Sequence, residues 1–593
     1  MRNPEAPRLV GAYRRALPEG ARRIIAGHVH RGLRTQVKMR IAGAADAAEL
    51  ARASRLGKRL NGIVDQPGRT VLAAGREPKI ALIDADATPL TARRANLAAV
   101  LSALAAGGLE HFCVRSRSET AAAVAVRDKD RPQVLAALEA LCGQEPGYVT
   151  VVKGNRPVPE ASWPGFEPST WRRVARAEIL RLTWYRTNGT SRLGLGTRYG
   201  CDVEFWTEEE GRLVAPRPGR FAEHIPADSK PVTVSEAYLT DLAPLDEHSP
   251  ARVEVPTREH FAIHPVDKIR FPVDVVYTWV DGTDPAWLAR RAEHTGASYH
   301  GESANAARYL SRDELRYSLR SLHMYAPWTR NVYVVTDDQV PDWLDTSVPG
   351  VHVVSHREIF RSPGSLPTFN SHAIESQLHR IEGLSEHFLY FNDDVMLGRE
   401  TTAQDFFLAN GTTKFFPSSA LVPLGEKSPD DPPVAAAGKN NRRIIEEYNG
   451  GVIVQKMKHM PHALRRSVLQ EIEHTFAAEH RRTESSRFRG MDDISVASSL
   501  HHYYAFTTGR AIPAELPYVY IDLSHPWTDT RLGRLLAARD KTVFCVNDTV
   551  STDDDLADQT DLITPFLESY FPVPGPFEKR PARPSVPGGQ RGR

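Results

Sequence analysis

The chain has 593 residues, 41% of them hydrophobic and 25% charged, with a formal net charge of +2. That length exceeds one ordinary hydrophobic core and predicts two or three domains. The near-neutral balance excludes wholesale nucleic-acid binding, and no stretch approaches the roughly 20 uninterrupted apolar residues of a membrane span.

Residues 8–40 come first, with Arg8, Arg14, Arg15, Arg22, Arg23, Arg31, Arg34 and Arg40 set among Leu, Ile, Val and Ala. A basic helical arm is expected over 1–45, either solvated against its own protein, the favoured reading, or resting on an anionic membrane surface. The first twenty residues lack the apolar core of a secretory signal. A cytoplasmic protein is therefore expected, with membrane association open through this arm. Cys113, Cys142, Cys201 and Cys545 form no CxxC pair. They are expected as core thiols rather than as a disulfide framework or a zinc site.

Over 75–250 the order is KIALID (79–84), a helical pattern from Thr91 to Ala105, HFCVRS (111–116), AAVAV (122–126), a helix near 131–142 and GYVTVVKG (147–154). This β-α-β-β-α-β order predicts an α+β N-terminal domain built on a ferredoxin-like unit. Asp84 and Asp86 form a DxD after its first strand, where a turn is expected ahead of a metal site. Antiparallel strands are expected over 176–235, then a linker near 242–270.

A second domain is expected over 271–571, followed by a disordered tail at 572–593. VDVVYTW (273–279), NVYVVTDD (331–338), VHVVSH (351–356) and HFLYFNDD (387–394) alternate with amphipathic helices. That alternation predicts a doubly wound, mostly parallel, Rossmann-like α/β sheet. Ligands bind beyond the carboxyl ends of such strands, and Asp281, Asp337, Asp338, Asn392, Asp393 and Asp394 all fall there. Asp284 and Pro285 suit a helix start, Ser311 to Glu314 a capping box, and 421–440 a mobile loop.

Two carboxylates and an amide after a strand suit Mg²⁺ or Mn²⁺ bridging a diphosphate; the alternative is an Asx turn. In HMPHALRRSVLQEIEHTF (459–476), Pro461 marks a helix start, and Leu464, Val468, Ile472 and Phe476 fall on one apolar face. His459 and His462 would then sit at the positive end of a helix dipole. In SRFRGMDDISVASSL, Arg487 and Arg489 precede a helix whose first turn carries Asp492 and Asp493. Those arginines suit a phosphate clamp or a salt bridge to the two aspartates. No GxxxxGK[ST], strand-linked GxGxxG, HExxH or GxSxG is present.

Together, VDVVYTWVDGTDP, RDELRYSLRSLHMYAPWTRNVYVVTDDQVPDWL, FNSHAIESQLHRIEGLSEHFLYFNDDVMLG and HMPHALRRSVLQEIEH…SRFRGMDDISVASSL resemble, in order, the blocks of the Stealth family of sugar-phosphate transferases. IDLSHPWTDTRLGRLLAARDKTVFCVNDT (521–549) is similar to the family's last block, so the match covers about 271–550. The resemblance implies transfer of a hexose 1-phosphate, typically GlcNAc 1-phosphate from UDP-GlcNAc, to a glycan hydroxyl in capsule or exopolysaccharide synthesis. UMP is released. A UDP-sugar donor, a glycan acceptor and Mg²⁺ (or Mn²⁺) are the implied partners and cofactor.

The family's acidic positions fall on Asp281, Asn392, Asp393 and Asp394, its functional histidine on His459 and its functional arginine on Arg489. Asn370 and Arg443 stand beside its sugar- and phosphate-binding segments. The resemblance thus implies Asp393 and Asp394 as metal ligands, His459 as general base or phosphate ligand, and Arg489 as phosphate clamp. Asp281 would serve metal or base, and Asn370, Asn392 and Arg443 would bind substrate. A metal-dependent glycosyltransferase releasing UDP and a non-catalytic glycan-binding protein stay open as alternatives. A homodimer is the base-rate expectation.

Overall fold

The computed structural model describes residue 55 and residues 61–579 apart from 75–76, 155, 190–192, 245–250, 295–311 and 549–552. The basic arm expected over 1–45 lies outside the described residues.

The N-terminal region carries β1 (Arg69–Ala74), β2 (Glu77–Ile83), β3 (His111–Cys113), β4 (Ala122–Arg127), β5 (Tyr148–Lys153), β6 (Arg156–Pro164), β7 (Ile179–Thr183), β8 (Tyr185–Thr187), β9 (Cys201–Glu209), β10 (Arg212–Val214) and β11 (His224–Pro226). Helices α1 (Pro89–Ala106) and α2 (Arg131–Gln144) fall where the apolar spacing puts them. The β-α-β-β-α-β order is present, but the ferredoxin-like pairing is not. β2 leaves for a separate sheet between β1 and β8, while β9 pairs with β4 and β7 stands between β9 and β5. The reason is burial. All of β7 and the first six residues of β9 are buried, so these later strands take the central places.

Asp84 Oδ1 accepts from the Asp86 amide at 3.2 Å, the turn expected of that DxD. The stretch at 242–270 is more than a linker, because β12 (Pro231–Ser235) pairs with β13 (Glu254–Arg258) and buries Val255.

The second region is organised by β14 (Val273–Thr278), β15 (Val332–Thr336), β16 (Val351–Ser355), β17 (His387–Asn392), β18 (Val395–Leu397), β19 (Thr413–Phe415), β20 (Pro417–Leu421), β21 (Gln455–Met457), β22 (His462–Arg465), β23 (Ala511–Pro513), β24 (Tyr518–Asp522) and β25 (Val543–Asn547). One sheet runs β16-β15-β14-β17-β22, parallel except for β22. Both of its faces are covered. Val275, Tyr277, Leu389 and Phe391 enter one core, with Leu319 and Leu322 of α3 (Glu314–Tyr325). Val276, Phe388 and Tyr390 enter another, with Ile444 of α4 (Pro433–Asn449) and Val468 of α5 (Arg466–Thr475). Double-sided burial is why these strands read as apolar runs without alternation.

Register sets the sheet's carboxyl edge: Thr278 pairs with Asn392, so β14 and β17 end side by side. The chain then turns through Asp393 and Asp394 and enters a second sheet, of order β18-β25-β24. That change of sheet explains why an apolar run resumes directly after the two carboxylates.

Four local expectations are corrected. The helix expected from Pro461 begins at Arg466, because His462–Arg465 is drawn into antiparallel pairing with β17. The last eight residues of the loop expected over 421–440 belong to α4. Glu314 does not close a capping box: its carboxylate accepts from the Arg312 amide at 2.5 Å, and Ser311 lies outside the described residues. The tail is packed as far as residue 579, since buried Glu578 accepts from Arg320 Nε at 2.6 Å and Arg316 Nε at 2.7 Å. The two regions share a core through Leu193, Leu195 and Tyr199, reinforced by an Arg198–Glu400 ion pair at 2.7 Å.

Candidate active site

Asp394 is the hub where the two sheets meet. Its Oδ1 lies 3.0 Å from His459 Nε2, while Oδ2 accepts from Asn547 Nδ2 at 2.5 Å and Cys545 Sγ at 3.3 Å. Its backbone carbonyl accepts from the Val546 amide at 3.0 Å. Asn392, the last residue of β17, places Nδ2 3.3 Å from His459 Nε2. The loop before β22 holds His459, whose side chain is 32% exposed and so open to a ligand. His462 is instead buried in strand β22, not on a helix of its own, and paired with His502 at 2.9 Å.

The two adjacent carboxylates are pushed apart electrostatically. Burial, then Asp394 and Glu314, drive Asp393 well above the usual carboxylate range. Burial also pushes Asp394 upward, but the charge and hydrogen bond of His459, with Cys545 and Asn547, outweigh it and hold Asp394 low. Burial would lower His459; Asp394 reverses this and raises it above its ordinary value. Such splitting of neighbouring titratable groups is a mark of a functional site.

Asp394, His459 and Cys545 offer ligand atoms within 4.8 Å of one another. Burial and then Asp394 raise the Cys545 thiol well above its ordinary range, so it stays protonated and acts as a donor. Asp393 and Asp394, both part-exposed, offer the hard carboxylate oxygens that suit a divalent cation.

Arg489 donates to Ser371 Oγ at 2.5 Å and acts electrostatically on Tyr390, one strand position before the Phe391–Asn392 end of β17. Its place is fixed by Asn370. That side chain is fully buried and bonds Asp493 Oδ2 at 2.8 Å and the Ser486 carbonyl at 3.2 Å. Asn370 expected as a substrate contact is thus spent inside the chain, tying the Arg489 loop to the Ser371 turn. Arg487 and Arg489 do not pair with the following aspartates. Arg487 Nε reaches the Pro367 carbonyl at 2.9 Å, Lys427 takes Asp492, and Asp493 is buried under Asn370.

Asp281 lies three residues past β14 at the same sheet edge, yet its Oδ1 caps its own turn, accepting from Thr283 N at 2.8 Å and Thr283 Oγ1 at 2.6 Å. Arg443 is not brought to the site. It lies on the outer face of α4, 45% exposed, paired with Glu447 at 2.8 Å and Glu479 at 3.3 Å.

Sequence reasoning missed Asn547, Cys545, Glu314 and Glu375. Buried Glu375 accepts from Ser498 Oγ at 2.6 Å and acts on His459 and Tyr390. One signal was available: FCVND (544–548) repeats the form of YFNDD (390–394), an apolar strand running into Asn and Asp.

Comparison with known proteins matches four models of one family, Stealth protein conserved regions 1 to 4, at residues 271–299, 308–415, 458–506 and 533–586. An exopolysaccharide phosphotransferase of Streptomyces coelicolor is 55% identical over 98% of this chain and 99% of its own. A second from that organism is 48% identical over 98% of each chain. The exopolysaccharide phosphotransferase CpsY of Mycobacterium leprae is 34% identical over 87% of this chain and 92% of its own. Among solved structures, the galactosyltransferase LgtC aligns with 50% of this chain and 96% of its own at 11% identity and a TM-score of 0.27, a likeness too weak to specify a mechanism. Each seam residue described above, from Asn392 and Asp394 to His459 and Asn547, falls within or between these conserved regions, and the chain belongs to the Stealth protein family.

Proposed function

We propose that this chain is an exopolysaccharide phosphotransferase that moves a hexose 1-phosphate, GlcNAc 1-phosphate first among candidates, from a UDP-sugar to a glycan hydroxyl. The acceptor oxygen bonds to the phosphorus that carries the sugar, and the bond from that phosphorus to the bridging oxygen breaks. The products are a phosphodiester and UMP. The observation that best supports this reading is the Asp394–His459 contact at 3.0 Å, set at the carboxyl edge of a mostly parallel sheet.

With Nε2 of His459 turned to Asp394, the nitrogen left for the acceptor proton is Nδ1. The imidazolium formed is stabilised by Asp394, which is also what raises the histidine's basicity. Arg489 balances phosphate charge, in a position fixed through Ser371 and Asn370. Asp393 and Asp394 would hold a divalent cation, whose charge would neutralise the diphosphate.

The test is direct. Incubated with Mg²⁺, UDP-GlcNAc and acceptor glycan, the protein should release UMP. Release of UDP without UMP would sink the reading in favour of ordinary glycosyl transfer.

A further inference from the structure

The wall facing Asp394 carries two tyrosines that the chemistry above does not use. β24 is the outer strand of the seam sheet and pairs in parallel register with β25: Tyr520 stands opposite Cys545, and Asp522 opposite Asn547. Directly paired residues project to the same face, and residues two apart along a strand share it. Cys545 and Asn547 both point to Asp394. Tyr518, Tyr520 and Asp522 therefore line the same face, as a row beside the hub. Tyr520 is 36% exposed and Tyr518 half-buried. Asp522 commits Oδ1 to Ser524, at 2.9 Å from its amide and 2.7 Å from its hydroxyl.

An aromatic pair, one ring exposed and one half-buried, with a carboxylate at its end is suited to a pyranose ring. The sugar's C–H face packs on the rings, and its hydroxyls donate to the acid. Two sources could supply such a ring, the donor hexose or the acceptor glycan. Tyr518 lies against the backbone of His459, the residue assigned to receive the acceptor proton. We propose that Tyr518 and Tyr520, with Asp522, form the subsite that seats a pyranose unit of the acceptor glycan beside His459. This assignment of acceptor over donor rests on the phosphotransfer reading above.

The test uses the full chain and two binding measurements that need no turnover. Saturation-transfer difference NMR with N-acetylchitotetraose and with maltotetraose reads the platform, and calorimetry with UDP-GlcNAc reads the donor site. Wild-type protein should transfer saturation to the ring protons of at least one oligosaccharide. Tyr520→Ala should weaken that binding roughly 3- to 10-fold, as expected for losing one aromatic contact, and Tyr520→Phe should retain it. UDP-GlcNAc affinity should stay within about 2-fold in both variants. Saturation transfer that survives Tyr518→Ala combined with Tyr520→Ala, in protein that melts as wild type does, would overturn the platform, as would no transfer to wild type from either oligosaccharide. A matching loss of UDP-GlcNAc affinity would overturn the acceptor assignment and give the rings to the donor. Failure to release UMP would count against the phosphotransfer reading and the acceptor assignment that rests on it, but not against the platform, because the oligosaccharide measurement does not depend on it.

Discussion

Two groups of buried charge use the same residue types to opposite ends. Beneath the N-terminal sheet, Arg181 grips Asp202 in a fork at 2.6 and 3.0 Å, and Arg217 bonds Asp202 at 2.8 Å and Glu204 at 2.9 Å. Two arginines meet two carboxylates, and each ion finds a partner. At the seam, Asp393, Asp394, Glu314 and Asp548 crowd around Arg312 and His459, and Asp393 is driven toward its neutral form. A balanced cluster is complete in itself and serves the fold. An unbalanced one is stable only because neighbours hold it, and perturbed charges of this kind gather at functional sites.

That contrast can be broken by mutation, and the largest effect is expected at the seam. Asp394→Asn or His459→Ala should cut UMP release by about 10³-fold, as loss of a general base and its partner requires. Near-wild-type melting would accompany it; retained activity in either variant would erase the distinction. In the N-terminal cluster, Asp202→Ala leaves the buried Arg181 guanidinium without a carboxylate and removes one of the two partners of Arg217, and should cost about 3–5 kcal/mol of stability in denaturant unfolding. Activity per folded molecule should barely change. Arg489→Lys keeps the charge but loses the fork, and a fall of about 10-fold in kcat/KM for UDP-GlcNAc is expected.

Acid should sharpen the comparison further. Burial pushes Glu119 upward, but Arg115, the Asp241 amide and Arg220 outweigh it and hold it down at about 2, against an ordinary 4.5. Its folded value is depressed, so its stabilisation is fully present above the ordinary value and is lost as pH falls from 4.5 toward 2. Melting temperature against pH should drop through that window, and Glu119→Gln should flatten the drop. The smallest effect belongs to Arg443→Ala, a surface pair expected to shift stability by less than about 0.5 kcal/mol and leave UMP release intact.

Strand ends and the family's polar positions were readable because local sequence encodes them. Asp284 caps its helix as expected, accepting from the Ala286 amide at 2.9 Å, and FNDD ends a strand as its pattern requires. What could not be read was pairing. Nothing local says that β9 displaces β2 from its sheet, or that β22 closes against β17 before α5 begins. The same limit hid the support of Asp394. Asn547 is 153 residues away in sequence, and only the β18–β25 register brings it within 2.5 Å. Asn370 shows the converse: a polar residue in a ligand-like motif whose bonds, once folded, are all internal.

The turn at Asp393–Asp394 also has a consequence in time. Its first sheet is supplied by residues up to 465, but the second needs β24 and β25, which end at Asn547. The ribosome therefore releases nine-tenths of the chain before the hub carboxylate meets its last partners. A product truncated ahead of β25 would carry His459 and Arg489 yet lack the Cys545 and Asn547 contacts that hold Asp394.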